Sequence, residues 1–476
     1  MLLRDHLLAQ LATLPGERRF HLHVLFTTPR KHSRLFPYVK SRPKILVQEI
    51  LILLSEQEHK NDEYGPNVFV SVIEAMHYTI PSTSSSILYV SKVDSTGQGI
   101  APSPTSKLVR SFLAFYANPK TRPTDNLWIH VFARAQGQYL FPNSSDFPGK
   151  RVLSDTKLCS WWKRVLTGVS NDSSADPSSI EAYYVLPGMG ELEALQSLGE
   201  AVEASGGSTE HPPARLKWHY GHPYTPKTTA KMPLGLDVSD TARLVGELIP
   251  SFPDDPKARF MDELSVTKER DTLPISPMPP AKRAKTSSST NSVLGKEDDK
   301  KEEGEAKSIA ITADEFWERM SFRQECVSGA ATGFFVVVFR RGEGDEAIKD
   351  GEDEKGEVSE QTMTRIVSSL TTGHEFSTAE RAVRATEILS GAIRGLCEGL
   401  PDRSRRSGET QPENPERDRA EEGLLPDDPD PLSLHIYTRF IYASISVDNP
   451  NSSVRPATPP PPPVTMLTVR RKRKKQ

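Results

Sequence analysis

Apolar and polar side chains alternate with a period of two along Phe20-His21-Leu22-His23-Val24-Leu25-Phe26, which predicts a half-buried strand. Before it, residues 2–13 space their leucines as a short amphipathic helix ended by Pro15-Gly16. Lys44 to Leu54 is apolar enough for either helix or strand, and its periodicity leaves both open. Asn67 to Ile80 and Ser86 to Val93 are rich in β-branched and aromatic residues and are separated by Pro81 and a serine run, predicting an antiparallel hairpin. Apolar residues at 108, 109, 112, 113 and 116 form a helical stripe over Pro104 to Tyr116. Leu127 to Ala133 reads as a strand, and Ser154-Asp155 as the cap of a helix running to about Leu166. A short strand (Ala182 to Leu186) and a helix from Glu191 follow; Gly188-Met189-Gly190 has neither the third glycine nor the βαβ frame of a phosphate loop. Beyond residue 306 the pattern predicts a helix over Asp314 to Cys326, a strand at Gly333 to Phe339, a helix over Ala379 to Cys397 and a late strand over Leu432 to Val447.

Composition changes that picture at four places. Val266 to Ala306, 341–361 and 401–430 are charged and poor in large apolar residues, so they cannot bury enough surface to offset their ordering entropy. The same holds for 448–476, with five consecutive prolines at 459–463. The expected organisation is a single α/β domain with a central mixed, mostly antiparallel sheet flanked by helices and interrupted by disordered inserts. Its first part is 1–265, and 307–340, 362–400 and 431–447 complete the core, because none of these pieces is large enough to stand alone.

Charge and cysteine usage bound the function. A net charge of -3 over 476 residues argues against a uniformly basic nucleic-acid binder. The basic run Arg470-Arg471-Lys472-Arg473-Lys474-Lys475 is the exception, suited to nuclear import or to a chaperone or nucleic-acid contact. Cys159, Cys326 and Cys397 are far apart, which points to a reducing compartment and away from disulfides or a cysteine-rich zinc site. His21 and His23 share a strand face without an evident third ligand, so no metal is expected, and no apolar run is long enough to span a membrane.

The stretch Ser251-Phe252-Pro253-Asp254-Asp255-Pro256-Lys257-Ala258-Arg259-Phe260 concentrates the chemistry. Pro256 suits the first turn of a helix and Asp255 its N-cap. The same residues can equally form a partly buried carboxylate beside a reactive lysine at a cleft. Transfer of an acyl group to lysine needs such a carboxylate, because a free lysine amine has a pKa of about 10.4 and must lose its proton before it attacks. Asp94 is a second suitable carboxylate, with Tyr139, Trp161 and Trp162 as aromatic walls, and Lys107, Arg110, Arg134, Lys150 and Arg151 are available cations for a phosphate-bearing donor.

Phe252 to Phe260 resembles the signature segment of the fungal histone H3 lysine acetyltransferases, which depend on histone chaperones and share a fold with the metazoan coactivator acetyltransferases. Gln138 to Ser145 with Trp161-Trp162, and Tyr89 to Gly97, are similar to two further motifs of that family and stand in its order. The resemblance covers roughly residues 20–270, with a weaker continuation through Phe316-Trp317-Glu318 and Arg323-Gln324-Glu325. It implies a nuclear enzyme that transfers acetyl from acetyl-CoA to lysines of histone H3, presented with histone H4 and with histone chaperones as partners. The acceptors it implies are a lysine of the globular core near where DNA enters the nucleosome, and lysines of the tail. It further implies acetyl-CoA contacts at Val93, Asp94, Ser95, the loop Gly99 to Ser103, Phe132, Gln136, Tyr139, Arg151, Val152, Leu153 and Trp161. Catalysis would fall to Asp255, Asp94 and Trp162, and autoacetylation to Lys257. The segment between the helix at Tyr116 and the strand at Leu127 is shorter than in some members. The rival reading is a catalytically weak chromatin or histone-chaperone scaffold; a small-molecule acyltransferase sits poorly with the basic tail.

Overall fold

The computed structural model describes residues 1–39, 43–199, 216–225, 228–236, 245–271, 309, 311–323, 331–342, 356–398, 400 and 434–449. The strands are β1 (Gly16–Thr27), β2 (Arg30–Lys31), β3 (Leu46–Lys60), β4 (Glu63–Tyr64), β5 (Val68–Ile80), β6 (Ser85–Ser95), β7 (Asn126–Ala133), β8 (Ile180–Val185), β9 (Trp218–Tyr220), β10 (Gly333–Arg340), β11 (Glu357–Val358) and β12 (Tyr442–Asn449). The helices are α1 (Leu3–Leu11), α2 (Thr105–Ala117), α3 (Asp155–Asp172), α4 (Glu191–Ser197), α5 (Val245–Leu248), α6 (Pro256–Asp271), α7 (Ala313–Met320), α8 (Glu360–Thr372) and α9 (Ala379–Leu396).

One sheet runs in the order β11-β1-β3-β5-β6-β7-β10-β8-β9, with β12 paired to β1. Most neighbours are antiparallel; β6–β7, β8–β9 and β1–β11 are parallel. The central strands are apolar on both faces, as a sheet covered on both sides requires. In β7, Leu127, Ile129 and Val131 face a core with α1, α2 and α3, whereas Trp128 joins the opposite core with Phe252, Phe260 and Phe316. Strand β10 splits the same way, Phe335, Val337 and Phe339 against Phe334, Val336 and Val338. A third cluster joins α8 and α9 to Leu51, Leu53 and Phe69 of the β3–β5 end.

The hairpin of β5 and β6 pairs as the pattern predicts, and Lys44 to Leu54, open between helix and strand, resolves as β3 at the heart of the sheet. Strand β10 lies between β7 and β8, and β12 borders β1, so these late residues complete the same sheet. Some boundaries differ from expectation. α6 continues to Asp271, beyond the compositional shift at Val266, and α3 runs on to Asp172. Strand β11 and the first residues of α8 fall inside 341–361, and α8 is capped by Ser359, whose hydroxyl accepts from Thr362 N. Within Leu432 to Val447, Tyr437–Ile441 forms a π-helical turn before the strand begins at Tyr442. Cys326, the 272–308 insert, 401–433 and the basic tail lie outside the described residues.

Candidate active site

Parallel strands β6 and β7 hydrogen-bond in register from Ser85↔Asn126 to Val90↔Val131, and their pairing ends there. At that point the β5–β6 register shifts, with Glu74 opposite Lys92 and Ala75 opposite Val90. Such a bulge bends a strand away from its neighbour. A cavity of about 1030 Å³ opens where the two strands part. Its walls are the ends of β6 (Tyr89 to Ser95) and β7 (Phe132 to Gln136), Tyr139, the lip Lys150 to Leu153, Trp161 and Trp162 of α3, the start of α2, and Ser251 to Asp255 with Ala258 and Asp262. Val93, Asp94, Ser95, Phe132, Gln136, Tyr139, Arg151, Val152, Leu153 and Trp161 therefore share one cavity with Asp255 and Trp162.

The two carboxylates at this cavity are held differently. Asp94 Oδ2 accepts from the N–H groups of Tyr139, Leu140 and Phe141 at 2.8, 2.9 and 3.1 Å. Its Oδ1 accepts from Ser95 N and Lys150 Nζ, both at 2.8 Å. These five donors fasten the loop that carries Tyr139 to Lys150 to the end of β6. Asp255 is fully buried immediately before α6. Its Oδ1 accepts from Lys257 N at 2.9 Å, the N-cap bond, and its Oδ2 accepts from Lys257 Nζ. The cap reading and the carboxylate–lysine reading thus describe the same residue. Asp254 beside it holds φ +59, a left-handed conformation uncommon outside glycine.

Lys257 is buried behind Asp255 and lines not the large cavity but a void of about 10 Å³, with His130, Tyr224 and Phe334 among its walls. Its ammonium lies 4.6 Å from the Phe334 ring centre and 5.7 Å from that of Phe252. Phe260 packs on Phe316 and Arg323. Burial, and then the Lys257 charge, push His130 well below the ordinary histidine range, so it is neutral. Tyr89 stacks flat on Phe252 with centroids 4.2 Å apart, and burial raises its phenol far above neutral pH, as does the charge of Asp255. Trp161 and Trp162 meet edge to face at 4.9 Å.

A second buried ion pair lies under the loop after β6. Arg18 Nη1 meets Glu56 Oε1 at 2.8 Å and also donates to the carbonyls of Ile100 and Pro102, while Ile100 N donates to Glu56 Oε2. Burial pushes Glu56 up to about 7 against the opposing pull of Arg18. Of the expected loop Gly99 to Ser103, Ser103 reaches the cavity, whereas Gly99 packs towards Glu56 and Val70. Arg134, Lys150 and Arg151 line the cavity; Arg110 is turned away, paired with Asp172, and Lys107 is not among the walls. His21 bonds Tyr442 and Gln57, His23 bonds Tyr437, and among the described residues no three His, Cys, Asp or Glu side chains are gathered to hold a metal.

The profile of the histone acetyltransferase KAT11-type domain matches residues 101–391, more than half of the chain. The chain belongs to this family of histone acetyltransferases. Curated relatives agree. Histone acetyltransferase rtt109 of Aspergillus flavus is 30% identical over 300 residues, spanning 58% of this chain and 46% of that protein. Histone acetyltransferase rtt109 of Schizosaccharomyces pombe is 27% identical over 399 residues, spanning 81% of this chain and 85% of that protein. The crystal structure of Rtt109 from Aspergillus fumigatus superposes with a TM-score of 0.63 over 94% of this chain and all of that one; at 20% identity it speaks for the fold. A KAT11-type acetyltransferase thus carries the cavity. Sequence reasoning assigned no role to Tyr89, His130, Phe334 or the Arg18–Glu56 pair. Tyr89 and Phe334 lie within apolar strand patterns, and nothing local marks Arg18 and Glu56 as partners across 38 residues.

Proposed function

We propose that this acetyltransferase moves the acetyl group of acetyl-CoA to lysines of histone H3. The observation that carries the reading is the cavity in which Val93 to Ser95, Phe132, Gln136, Tyr139, Arg151 to Leu153 and Trp161 meet Asp255, from segments as distant as β6 and the 251–255 turn. The parted ends of β6 and β7 offer backbone groups to an extended pantetheine arm, much as a strand offers them to a neighbour. Ser103, Thr105 and Ser106 at the start of α2, with Arg134 and Arg151, supply donors and charge for phosphates. Trp161, Trp162 and Phe132 form apolar walls for the thioester end.

The acceptor amine must be neutral to attack the thioester carbonyl; its new C–N bond forms as the C–S bond breaks and CoA leaves as a thiol. In this reading Asp255 accepts the proton that the substrate ammonium gives up before attack, and the proton that nitrogen loses after attack passes to the departing sulfur. The Lys257 ammonium competes for the same carboxylate oxygen, so acetylation of Lys257 would remove a cation and free that oxygen for the substrate. The acceptors are a globular-core lysine near where DNA enters the nucleosome and lysines of the tail, presented by histone H3 with H4 on a histone chaperone. The site of action is the nucleus, with Arg470 to Lys475 as import or chaperone contact. Mass spectrometry of histone H3–H4 after incubation with acetyl-CoA, with and without a chaperone, tests this. Acetyl on H3 lysines is expected, increased by the chaperone; binding of histones without any acetyl transfer would return the protein to a scaffold.

A further inference from the structure

Two loops meet backbone to backbone at the lip of the cavity, and Lys150 is where they lock. Gly97 holds φ +78, and a Cβ there would come within 2.5 Å of Lys150 Cα. A Cβ on Gly149 would meet the Phe147 ring at 2.4 Å and Gly97 O at 3.1 Å, so the contact is tight on both sides. From this junction the Lys150 side chain turns inward, only 7% exposed, to Asp94, which is 4% exposed. Its ammonium donates to Asp94 Oδ1 at 2.8 Å and to Ser144 Oγ at 2.7 Å, and Ser144 Oγ in turn donates to Phe141 O. The three residues after it, Arg151 to Leu153, form the lip, where Val152 and Leu153 are 50% and 37% exposed.

We propose that Lys150 is a positioning residue for the acyl donor: its ammonium cancels the charge of Asp94 and holds the Arg151–Leu153 lip in its binding conformation. The inference rests on the reading of the cavity as the acetyl-CoA site. Four backbone N–H groups already satisfy the hydrogen-bonding capacity of Asp94, so what the ammonium adds is charge. Without it, an uncompensated carboxylate would stand in the wall of a cavity that must admit a polyanion. The exposed Val152 and Leu153 are apolar surface that donor binding would cover.

The test compares acetyl-CoA with acetyl-dephospho-CoA, which lacks the 3′-phosphate, as donors for wild type and Lys150→Met. The variant should raise the KM for acetyl-CoA about tenfold, as loss of one partner from a buried charge pair warrants, with kcat and the histone KM changed less than about threefold. The rise should be smaller for acetyl-dephospho-CoA, because the repelled ligand carries less charge. The double variant Asp94→Asn/Lys150→Met leaves no unpaired charge, so it keeps the test open should the single variant fold poorly, and it should bind acetyl-CoA more tightly than the single variant. An unchanged KM, equal losses for both donors, or a double variant no better than the single one would each overturn the role of charge. Absence of acetyl-CoA binding to wild type by calorimetry would instead remove the donor-site reading itself.

Discussion

Asp94 and Asp255 are both buried and each is paired with one lysine, yet they do opposite work. Asp94 is enclosed by four N–H groups and an ammonium drawn from two loops, so its bonds span Ser95 to Lys150 and its effect is architectural. Among the described residues the Asp255 carboxylate bonds Lys257, two residues away, so its bonds stay within one turn. The difference teaches how to read a carboxylate at a cavity. Burial and a cationic partner are common to both, and the number and origin of the donors tells them apart.

The comparison is broken most sharply by kinetics. Asp255→Asn should lower turnover about a hundredfold or more, the range of a lost general base, with the KM for acetyl-CoA nearly unchanged. Near-normal turnover would leave Asp255 as a helix cap alone. Asp94→Ala should instead cost about 3–5 kcal/mol of stability in urea unfolding, because it strands a buried ammonium and four N–H groups. A loss below about 1 kcal/mol would deny it the anchoring role. Trp161→Ala should weaken acetyl-CoA binding about tenfold in calorimetry by removing apolar contact, and unchanged binding would assign Trp161 to packing.

How much of this was legible beforehand follows from the kind of signal each residue leaves. The period-two run of β1 announces itself because one side chain in two must meet a core, and β6 by its β-branched and aromatic residues. The cap at Asp255 is likewise local, written in Asp255-Pro256. Asp94 was visible as a carboxylate at the end of a strand, but its partners at 139–141 and 150 are brought by a loop whose path no periodicity encodes. The π-helical turn at Tyr437–Ile441 was hidden for a related reason. Its residues alternate like a strand, and the packing of Tyr437 on His23 and Tyr442 decides its shape. Phe334 is the clearest case, an ordinary strand residue that turns out to lie against the Lys257 ammonium.

Two smaller effects sharpen the contrast. Lys257→Arg keeps the charge on Asp255 but excludes acetylation; it should reduce histone acetylation several-fold with the fold intact, while peptide mass spectrometry of wild type shows acetyl on Lys257. A wild type without acetyl at Lys257 and a fully active variant would separate that lysine from catalysis. Glu56 offers a third buried carboxylate, raised by burial from 4.5 to about 7. Because its folded value lies above the unfolded one, its contribution to stability is complete below about pH 4.5 and is lost as pH rises through about 7. Urea unfolding should therefore show wild type losing about 1–3 kcal/mol relative to Glu56→Gln over that window, since one pKa unit is about 1.4 kcal/mol. Parallel pH profiles would mean that Arg18 keeps Glu56 ionised throughout.

Calorimetric titration of acetyl-CoA into Asp94→Asn and Asp255→Asn, side by side with wild type, tests the central claim most directly. The account predicts near-wild-type affinity for Asp255→Asn and a loss of about tenfold or more for Asp94→Asn, whose loop has lost its charged anchor. Equal affinities for the two variants, or a larger loss for Asp255→Asn, would contradict the division of labour between the two carboxylates.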